Sequence, residues 1–194
     1  FPLAKPIEEQ EIRGALLDLL SAHCKRGNKV LEEFRIERGS ARIDVAEIGN
    51  HLIGYEIKSD KDSFARFSNQ IHAYNRVFDR INLVCGPVLL GIAEKIIPSW
   101  WGIIVAERLA NGSVQLSVRR NASANPMQDA FSLASLLWKE EALEALLSLE
   151  TKAPKGESLH TLWSRLATNL SVGNIRSVVA EMLLKRQCYR ELAV

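Results

Sequence analysis

The polar residues whose types and spacing could do chemistry are concentrated in one stretch that contains two predicted strands. The first covers residues 42–48 and contains Asp44, and the second covers residues 52–58 and contains Glu56 and Lys58. Apolar and polar residues alternate along the first segment, and a Gly-Asn turn follows it, so the two segments are predicted to form a β-hairpin. The hairpin would bring the two carboxylates onto neighbouring strands.

Two adjacent carboxylates repel each other unless a cation lies between them. Mg²⁺ or Mn²⁺ is the natural candidate, because such ions prefer oxygen ligands and complete their coordination with water or a substrate phosphate. Glu56 and Lys58 are two residues apart, so a strand would place both on one face and Ile57 on the other. Lys58 would then act on the attacking water or hold the phosphate. An ordinary charged strand face is the alternative interpretation.

These residues resemble the PD-(D/E)XK superfamily of restriction-endonuclease-like nucleases. Asp44 matches the first acid of the motif, and Glu56-Ile57-Lys58 matches its E-x-K half, while Ile43 stands where the motif has proline. Gln70 and Tyr74 supply the Q-x-x-x-Y pair of the RecB-type subgroup. With segment 54–60 and the Leu-Leu-Trp run at 136–138, most of the chain is also similar to a small, poorly characterised bacterial family of such proteins.

The resemblance implies an α/β fold with a restriction-endonuclease-like core, in which helices flank a mixed sheet. It implies that Asp44, Glu56 and the carbonyl of Ile57 hold the metal, and that Lys58 acts on water or phosphate. No small-molecule cofactor is expected beside the metal.

Three further site residues follow from the same resemblance. Gln70 and Tyr74 would orient Lys58 or the nucleic-acid strand, and Glu33, on the strand before Asp44, would be an auxiliary acid. Tyr74 also fits an aromatic core stripe, and Glu33 also fits an exposed strand face. Gln70 has apolar neighbours and would need a polar partner, for which the Lys58 ammonium, a water or a phosphate is suitable.

Four arginines are candidates for contacts with DNA: Arg42, Arg66, Arg119 and Arg120. Solvated surface positions explain them as well. The formal net charge of +2 is too small to indicate a nucleic-acid-binding protein by itself.

The elements that must position these residues can be read from periodicity and turn signals. Predicted strands cover residues 29–36, 42–48, 52–58, 81–85, 100–107 and 113–119, the fourth parallel to the third and the last two joined as a hairpin around Asn111-Gly112. Predicted helices run from Pro6 to Gly27, from Ser59 to Asp79, and over residues 88–97, 131–147, 159–170 and 175–183.

The domain organisation predicted from these elements is a nuclease-like domain over residues 1–125, with the hairpin as an addition, and an α-helical C-terminal subdomain over residues 126–194. The length of 194 residues and the apolar content of 47% suit a packed core. Three scattered cysteines form neither a disulfide framework nor a zinc-ligand set. With no apolar stretch of membrane-spanning length and no signal-peptide pattern, a cytoplasmic protein without a membrane partner is expected.

The function expected from the motif is metal-dependent hydrolysis of DNA phosphodiester bonds, in DNA repair or in defence against foreign DNA. Two alternatives stay open: a catalytically silent nucleic-acid-binding or scaffold protein with the same fold, and a nuclease that acts on RNA, since no residue identifies a 2′-hydroxyl. Zinc-hydrolase and nucleotide-binding functions are disfavoured because neither HExxH nor GxxxxGK[ST] occurs in the chain.

Overall fold

A six-stranded mixed sheet lies at the centre of the computed structural model, which describes residues 6–24, 26–65, 67–149 and 156–186. The strands are β1 (Lys29–Ile36), β2 (Ala41–Ile48), β3 (Leu52–Lys58), β4 (Arg80–Cys85), β5 (Gly102–Arg108) and β6 (Val114–Arg120). The helices are α1 (Glu9–Cys24), α2 (Phe67–Asn75), α3 (Pro87–Ile96), α4 (Ala130–Ala134), α5 (Lys139–Leu147), α6 (Leu159–Asn169) and α7 (Val172–Lys185).

The strands lie side by side in the order in which they occur along the chain. β1, β2 and β3 are antiparallel neighbours, β3, β4 and β5 are parallel neighbours, and β6 is antiparallel to β5. Both parallel connections pass through a helix, as a parallel pair requires. The predicted hairpin of β2 and β3, the parallel strand β4 and the final hairpin are therefore confirmed, and the final hairpin extends the same sheet.

Two hydrophobic clusters cover the two faces of the sheet. On one face, Ile12, Leu16 and Leu20 of α1 recur at helical spacing and are buried against Val45 and Ile57. The other face is covered by apolar residues of α2 to α7 in a single larger cluster that includes Trp101 and Tyr74. The sheet thus separates α1 from all the other described helices.

Helix α2 is shorter than predicted, since Phe64 and Phe78 both lie outside it. Between β3 and α2, Ser59 and Asp62 form a turn in which the Asp62 carboxylate accepts hydrogen bonds from the backbone N–H and the hydroxyl of Ser59, both at 2.7 Å. At the end of α2, the Asn125 amide donates to the carbonyl of Asn75 at 2.6 Å. The capping residues after Lys58 therefore close a turn rather than begin the helix.

The single helix predicted for residues 131–147 is two helices, α4 and α5. Asp129 caps α4 by accepting a 2.8 Å hydrogen bond from the Ser132 amide, and Glu141 accepts a 2.7 Å hydrogen bond from the Trp138 amide at the start of α5. Helix α1 also begins at Glu9 rather than at Pro6. These boundaries are set by capping contacts, which an apolar period does not reveal.

The C-terminal helices pack on the sheet and share its larger hydrophobic cluster. The Asp79 carboxylate before β4 forms an ion pair of 2.8 Å with Arg176 of α7, and Lys29 of β1 donates hydrogen bonds to carbonyls at the end of α7. The division of the chain at residue 125 stays a prediction. Within the described ranges, no helix is long and apolar enough to cross a membrane.

Candidate active site

Three acidic residues occupy one row across the first three strands. In the pairing of β2 with β3, Val45 lies opposite Tyr55, so the next step along the same register brings Asp44 opposite Glu56. In the pairing of β1 with β2, the residues on either side of Glu33 lie opposite the residues on either side of Asp44. Glu33, Asp44 and Glu56 are therefore neighbours across the sheet, as the hairpin prediction requires for the last two.

The alternation predicted along β2 is interrupted at Asp44. Ile43 and Val45 are two residues apart but belong to the hydrophobic clusters on opposite faces. In β1, Glu33 has a φ of +52°, a left-handed conformation that non-glycine residues seldom adopt. The Asp44 carboxylate accepts a 2.7 Å hydrogen bond from the backbone N–H of Ile57. The side chain of Asp44 therefore links β2 to β3 at the point where their regular pairing ends.

Glu56 is almost completely buried, at 2% exposure, and every polar neighbour it has here was predicted for the site. Its Oε1 accepts hydrogen bonds from Nζ of Lys58 at 2.7 Å and from Nε2 of Gln70 at 3.1 Å. Its Oε2 lies 2.8 Å from the hydroxyl of Tyr74. The Lys58 ammonium also lies 5.1 Å from the centre of the Phe67 ring. The structure thus brings Asp44, Glu56, Lys58, Gln70 and Tyr74 together.

The partner of Gln70 differs from the expected ones. Its amide donates to Glu56 and, at 3.1 Å, to the hydroxyl of Tyr74, rather than meeting Lys58. Gln70 and Tyr74 are four residues apart on α2, so both reach the same carboxylate. Tyr74 is also fully buried among aromatic residues, so this one residue belongs both to the aromatic core and to the candidate site.

Burial is the main cause that raises the pKa values of both acids. Burial is the main cause for Glu56, followed by the charge of Asp44, and together they raise its pKa to about 7 although Lys58 opposes the change. Burial also raises the pKa of Asp44, against the opposing effects of the Ile57 N–H, Arg13 and Lys58. Each carboxylate is therefore in a place that disfavours its charged form unless additional positive charge is present.

The hydrogen bonds of the Tyr74 hydroxyl agree with a proton on the Glu56 carboxyl group. Its hydroxyl lies 2.6 Å from the carbonyl oxygen of Arg42 and 2.8 Å from Oε2 of Glu56. One hydroxyl proton can serve only one of these acceptors at a time. A proton on Glu56 would satisfy both contacts, with Glu56 donating to Tyr74 and Tyr74 donating to Arg42. The pKa of about 7 makes this protonated form accessible near neutral pH.

Sequence reasoning missed Arg13 of α1, which contacts the site from the opposite face of the sheet. Its guanidinium donates to the carbonyl oxygen of Asp44 at 3.1 Å and lies 3.4 Å from the carboxylate of the same residue. It also forms ion pairs with Glu9 at 2.6 Å and Glu33 at 2.9 Å. The sequence feature that could have identified Arg13 is its spacing of four residues from Glu9, together with its place next to the buried Ile12.

The predicted nucleic-acid contacts fall into three groups. Arg42 lies in the site region, where its Nε forms a 2.7 Å ion pair with Glu33. Arg119 and Arg120 lie on β6, three strands and about 14 Å from β3. Arg119 pairs with Glu94 at 3.5 Å, and Arg120 donates to the Trp101 carbonyl at 2.7 Å. Arg66 lies outside the described residues, and a DNA contact by any of the four stays a prediction.

A divalent cation at Asp44 and Glu56 stays a prediction. Among the described residues, no group of three or more His, Cys, Asp or Glu side chains could hold a metal ion. The predicted site would offer two carboxylates and the Ile57 carbonyl, a number of protein ligands that is ordinary for Mg²⁺ because water and phosphate complete its octahedron. The raised pKa values of Asp44 and Glu56 are the observation that favours added positive charge between them.

Comparison with known proteins gives three results. The sequence pattern of a family described as "Bacteriophage P4 protein cII" matches residues 4–192. Protein cII of Enterobacteria phage P4 is 27% identical over 188 residues, which cover 95% of this chain and 69% of that protein. A solved structure of a protein of unknown function from Silicibacter pomeroyi aligns with a TM-score of 0.46 and 21% identity, over 81% of this chain and 98% of the other.

Proposed function

The chain belongs to the bacteriophage P4 protein cII family, and we propose that it is a metal-dependent nuclease that hydrolyses DNA phosphodiester bonds. The proposal includes a restriction-endonuclease-like core over residues 1–125 and a helical C-terminal subdomain over residues 126–194. Repair of DNA or defence against foreign DNA is the setting in which we expect this activity.

The observation that carries the proposal is the convergence of two repelling acids and an ammonium group at one point of the sheet. Asp44 and Glu56 both have raised pKa values, and Nζ of Lys58 lies 2.7 Å from Glu56. Phosphodiester hydrolysis needs positive charge where negative charge develops and a group that positions the attacking water. On the adjacent strands β2 and β3, Asp44 and Glu56 would bind the metal ion that supplies this charge, and Lys58 would position the water.

Asp44, Glu56 and the carbonyl of Ile57 would hold Mg²⁺ or Mn²⁺. When bound, the metal would supply Lewis-acid stabilisation of the phosphate and a more acidic water. Lys58 has the charge to bind a phosphate oxygen or to hold the attacking water. Gln70 and Tyr74 hold the Glu56 carboxylate in place through their hydrogen bonds. Lys58 is paired with the same carboxylate and would exchange this contact for one with substrate.

Asp44→Asn is the variant that tests the activity. The amide oxygen of Asn can still accept the hydrogen bond from Ile57, so the link between β2 and β3 is kept while the metal-binding charge is lost. We expect Mg²⁺-dependent cleavage of a labelled duplex and of a labelled single strand to fall by at least about 100-fold. Lys58→Met should have the same effect on cleavage.

The control for this experiment is Arg80→Gln, an exposed position at the start of β4, which should leave cleavage unchanged. Melting temperatures measured for all variants show whether lost activity reflects lost structure. Cleavage by pure Asp44→Asn protein at the wild-type rate would refute the nuclease proposal. Including an RNA oligonucleotide of the same sequence decides between the two substrates.

A second candidate function is that of a nucleic-acid-binding or scaffold protein without catalysis. It is favoured by the way the site neutralises itself, since Lys58 pairs with Glu56 and Arg13 contacts Asp44. Calorimetric titration with Mn²⁺ separates the two candidates. A nuclease must bind the ion in a manner that Asp44→Asn weakens, whereas the silent protein would show no heat that depends on Asp44.

A further inference from the structure

Two exposed arginines face each other across β1 and β2, close to Asp44. In the register of this hairpin, Arg35 is paired directly with Arg42, which comes two residues before Asp44. Both side chains are exposed, that of Arg42 by 56%. Like charges directly opposite each other on neighbouring strands destabilise a sheet, and the Cα atoms of such a pair are only about 5 Å apart. The two arginines therefore oppose the stability of the free protein.

The arginine pair lies on the same face of the sheet as Asp44. The residues that alternate with the pair along β1 and β2 belong to the larger hydrophobic cluster on the other face, and they are Phe34, Ile36 and Ile43. Arg42 and Asp44 flank Ile43, so both lie on the α1 face, where Arg13 contacts Asp44. Two residues of strand separate Arg42 from Asp44 by about 7 Å. This separation is comparable with that of neighbouring phosphates on one nucleic-acid strand.

Both guanidinium groups have donors available for an anion. Arg35 forms no ion pair with any residue that the structure describes. Arg42 uses its Nε in the 2.7 Å ion pair with Glu33, which leaves the N–H groups of its two terminal nitrogens as donors. Phosphate oxygens accept such N–H groups in charge-assisted, often bidentate hydrogen bonds. The pair therefore has the chemistry of a phosphate site.

Nearby acids do not neutralise the arginine pair. Glu33 contacts only Arg42 of the two, and it also forms a 2.9 Å ion pair with Arg13. Glu33 therefore keeps a cation when Arg42 turns toward a phosphate. Two further acids contact Arg13 rather than the pair, namely Glu9 and Glu32. Within the described ranges, the positive charge of Arg35 is thus available to an anion from solution.

We infer that Arg35 and Arg42 form a phosphate-binding pair, which holds the DNA backbone at the phosphate next to the one at Asp44 and Glu56. The place of this phosphate relative to the cleaved bond rests on the proposed function. Phosphate contacts fix the position of a strand without reading its sequence. The bound phosphate would also relieve the repulsion between the two arginines, which gives the unfavourable pairing in the free protein a purpose.

Arg35→Gln tests this role through the affinity for DNA, which does not require cleavage. In EDTA, fluorescence anisotropy with a short fluorescein-labelled duplex should show a dissociation constant about 5- to 10-fold higher than that of wild type at about 0.1 M salt. The slope of log Kd against log salt concentration should decrease by about 0.9, the value for one phosphate contact. The double variant Arg35→Gln/Arg42→Gln should decrease the slope by about twice this amount.

Two further variants separate a phosphate contact from the loss of charge in general. Arg35→Lys keeps the positive charge, so it should keep most of the salt dependence. Arg80→Gln removes the same charge from an exposed position at the start of β4, where Arg80 is paired with Ile53, three residues before Glu56. The dissociation constant of Arg80→Gln for the duplex should change by less than about 2-fold.

The melting temperature of the DNA-free protein shows whether Arg35 has a structural role. Arg35→Gln removes a repulsion, so the melting temperature should stay unchanged or rise by up to about 3 °C. A side chain that stabilised the hairpin would instead lower the melting temperature when it is replaced.

The outcomes distinguish this inference from the nuclease proposal. If wild type binds the duplex in a manner that Arg35→Gln weakens but does not cleave it with Mg²⁺, the inference holds and the nuclease proposal fails. If wild type cleaves DNA but Arg35→Gln binds it with the wild-type affinity and salt slope, the inference is wrong and the nuclease proposal stands. The inference also fails if wild type does not bind the duplex, if Arg80→Gln weakens binding as much as Arg35→Gln, or if Arg35→Gln melts at a lower temperature than wild type.

Discussion

Glu56 shows how one residue can be both well bonded and electrostatically unfavourable. Its two oxygens contact Lys58, Gln70 and Tyr74, so each oxygen has at least one hydrogen-bond partner. Burial and the charge of Asp44 nevertheless outweigh these contacts and raise its pKa to about 7 from an ordinary 4.5. The Lys58 ammonium opposes this rise in pKa, but one cation does not offset both the loss of water around the carboxylate and the nearby charge of Asp44. The fold therefore keeps an acid where its ionisation opposes folding.

This shift predicts how the stability of the metal-free protein depends on pH. Between pH 4.5 and 7 the folded chain binds a proton at Glu56 that the unfolded chain has released, so the free energy of unfolding falls as pH rises through this window. A Gln side chain does not titrate. We therefore expect the stability of Glu56→Gln relative to wild type to increase by up to about 3 kcal/mol from pH 4.5 to pH 8.

Urea unfolding of both proteins in a metal-chelating buffer, at several pH values, gives this difference directly. The comparison cancels the titrating groups that are distant from Glu56, because wild type and variant share them. A difference in stability that stays constant across the range would show that Glu56 titrates normally in the folded protein.

At the scale of elements, the break between α4 and α5 depends on contacts from distant parts of the chain. The carbonyl of Leu136 accepts a 2.8 Å hydrogen bond from Arg186, and the carbonyl of Leu137 accepts one of 3.0 Å from the Trp163 indole. Glu141 caps the Trp138 amide and also pairs with Arg186 at 2.5 Å. These side chains satisfy backbone groups that a continuous helix would have used internally.

Glu141→Ala should therefore be strongly destabilising. It removes the cap on α5 and leaves the guanidinium of Arg186, whose side chain is 5% exposed, without its carboxylate partner. We expect a loss on the order of 3 kcal/mol in the free energy of unfolding, measured by urea denaturation. The neighbouring Glu140→Ala is the matched control, because Glu140 is exposed on the first turn of α5. The free energy of unfolding of Glu140→Ala should fall by less than about 1 kcal/mol. If Glu141→Ala lost no more stability than Glu140→Ala, the cap and the ion pair would contribute nothing.

The same contacts explain which elements sequence reasoning could predict. The strands and both hairpins follow from alternation, buried apolar runs and turn residues, all of which are local. The placement of Asp44 and Glu56 on neighbouring strands followed from one turn, and the placement of Glu56 and Lys58 on one face followed from a period of two. The break after α4 did not, because leucines continue at helical spacing through it, and the groups that replace the helical bonds are 26 and 50 residues away.

Arg13 was missed for a related reason. A helix pattern shows that its neighbours Ile12 and Leu16 face the sheet, but it does not show which strand residue lies beneath the next position. The left-handed conformation of Glu33 and the interruption at Asp44 also leave no mark in the alternation of residue types. Local periodicity thus predicts which elements form, while the pairing of charges between elements requires the assembled structure.

At the scale of the whole molecule, charged contacts join the C-terminal helices to the sheet. The Asp79 side chain is 6% exposed, accepts a 2.7 Å hydrogen bond from the Leu52 amide and pairs with Arg176 of α7 at 2.8 Å. Sheet and helices also share one hydrophobic cluster. Elements that bury a common apolar surface are expected to unfold together, even where a sequence boundary such as that at residue 125 separates them.

Arg176→Gln tests whether the sheet and the C-terminal helices behave as one cooperative unit. The substitution leaves a buried carboxylate with one fewer partner, which should cost about 2 kcal/mol. If unfolding is cooperative, hydrogen exchange measured by mass spectrometry should show the same loss of protection in β4 and in α6, although Arg176 belongs to neither. Arg165→Gln is the control, because Arg165 pairs with Glu157 inside the helical region at a similar exposure of 30%. Loss of protection in α6 alone would instead show that the helices open independently of the sheet, as two separable domains would.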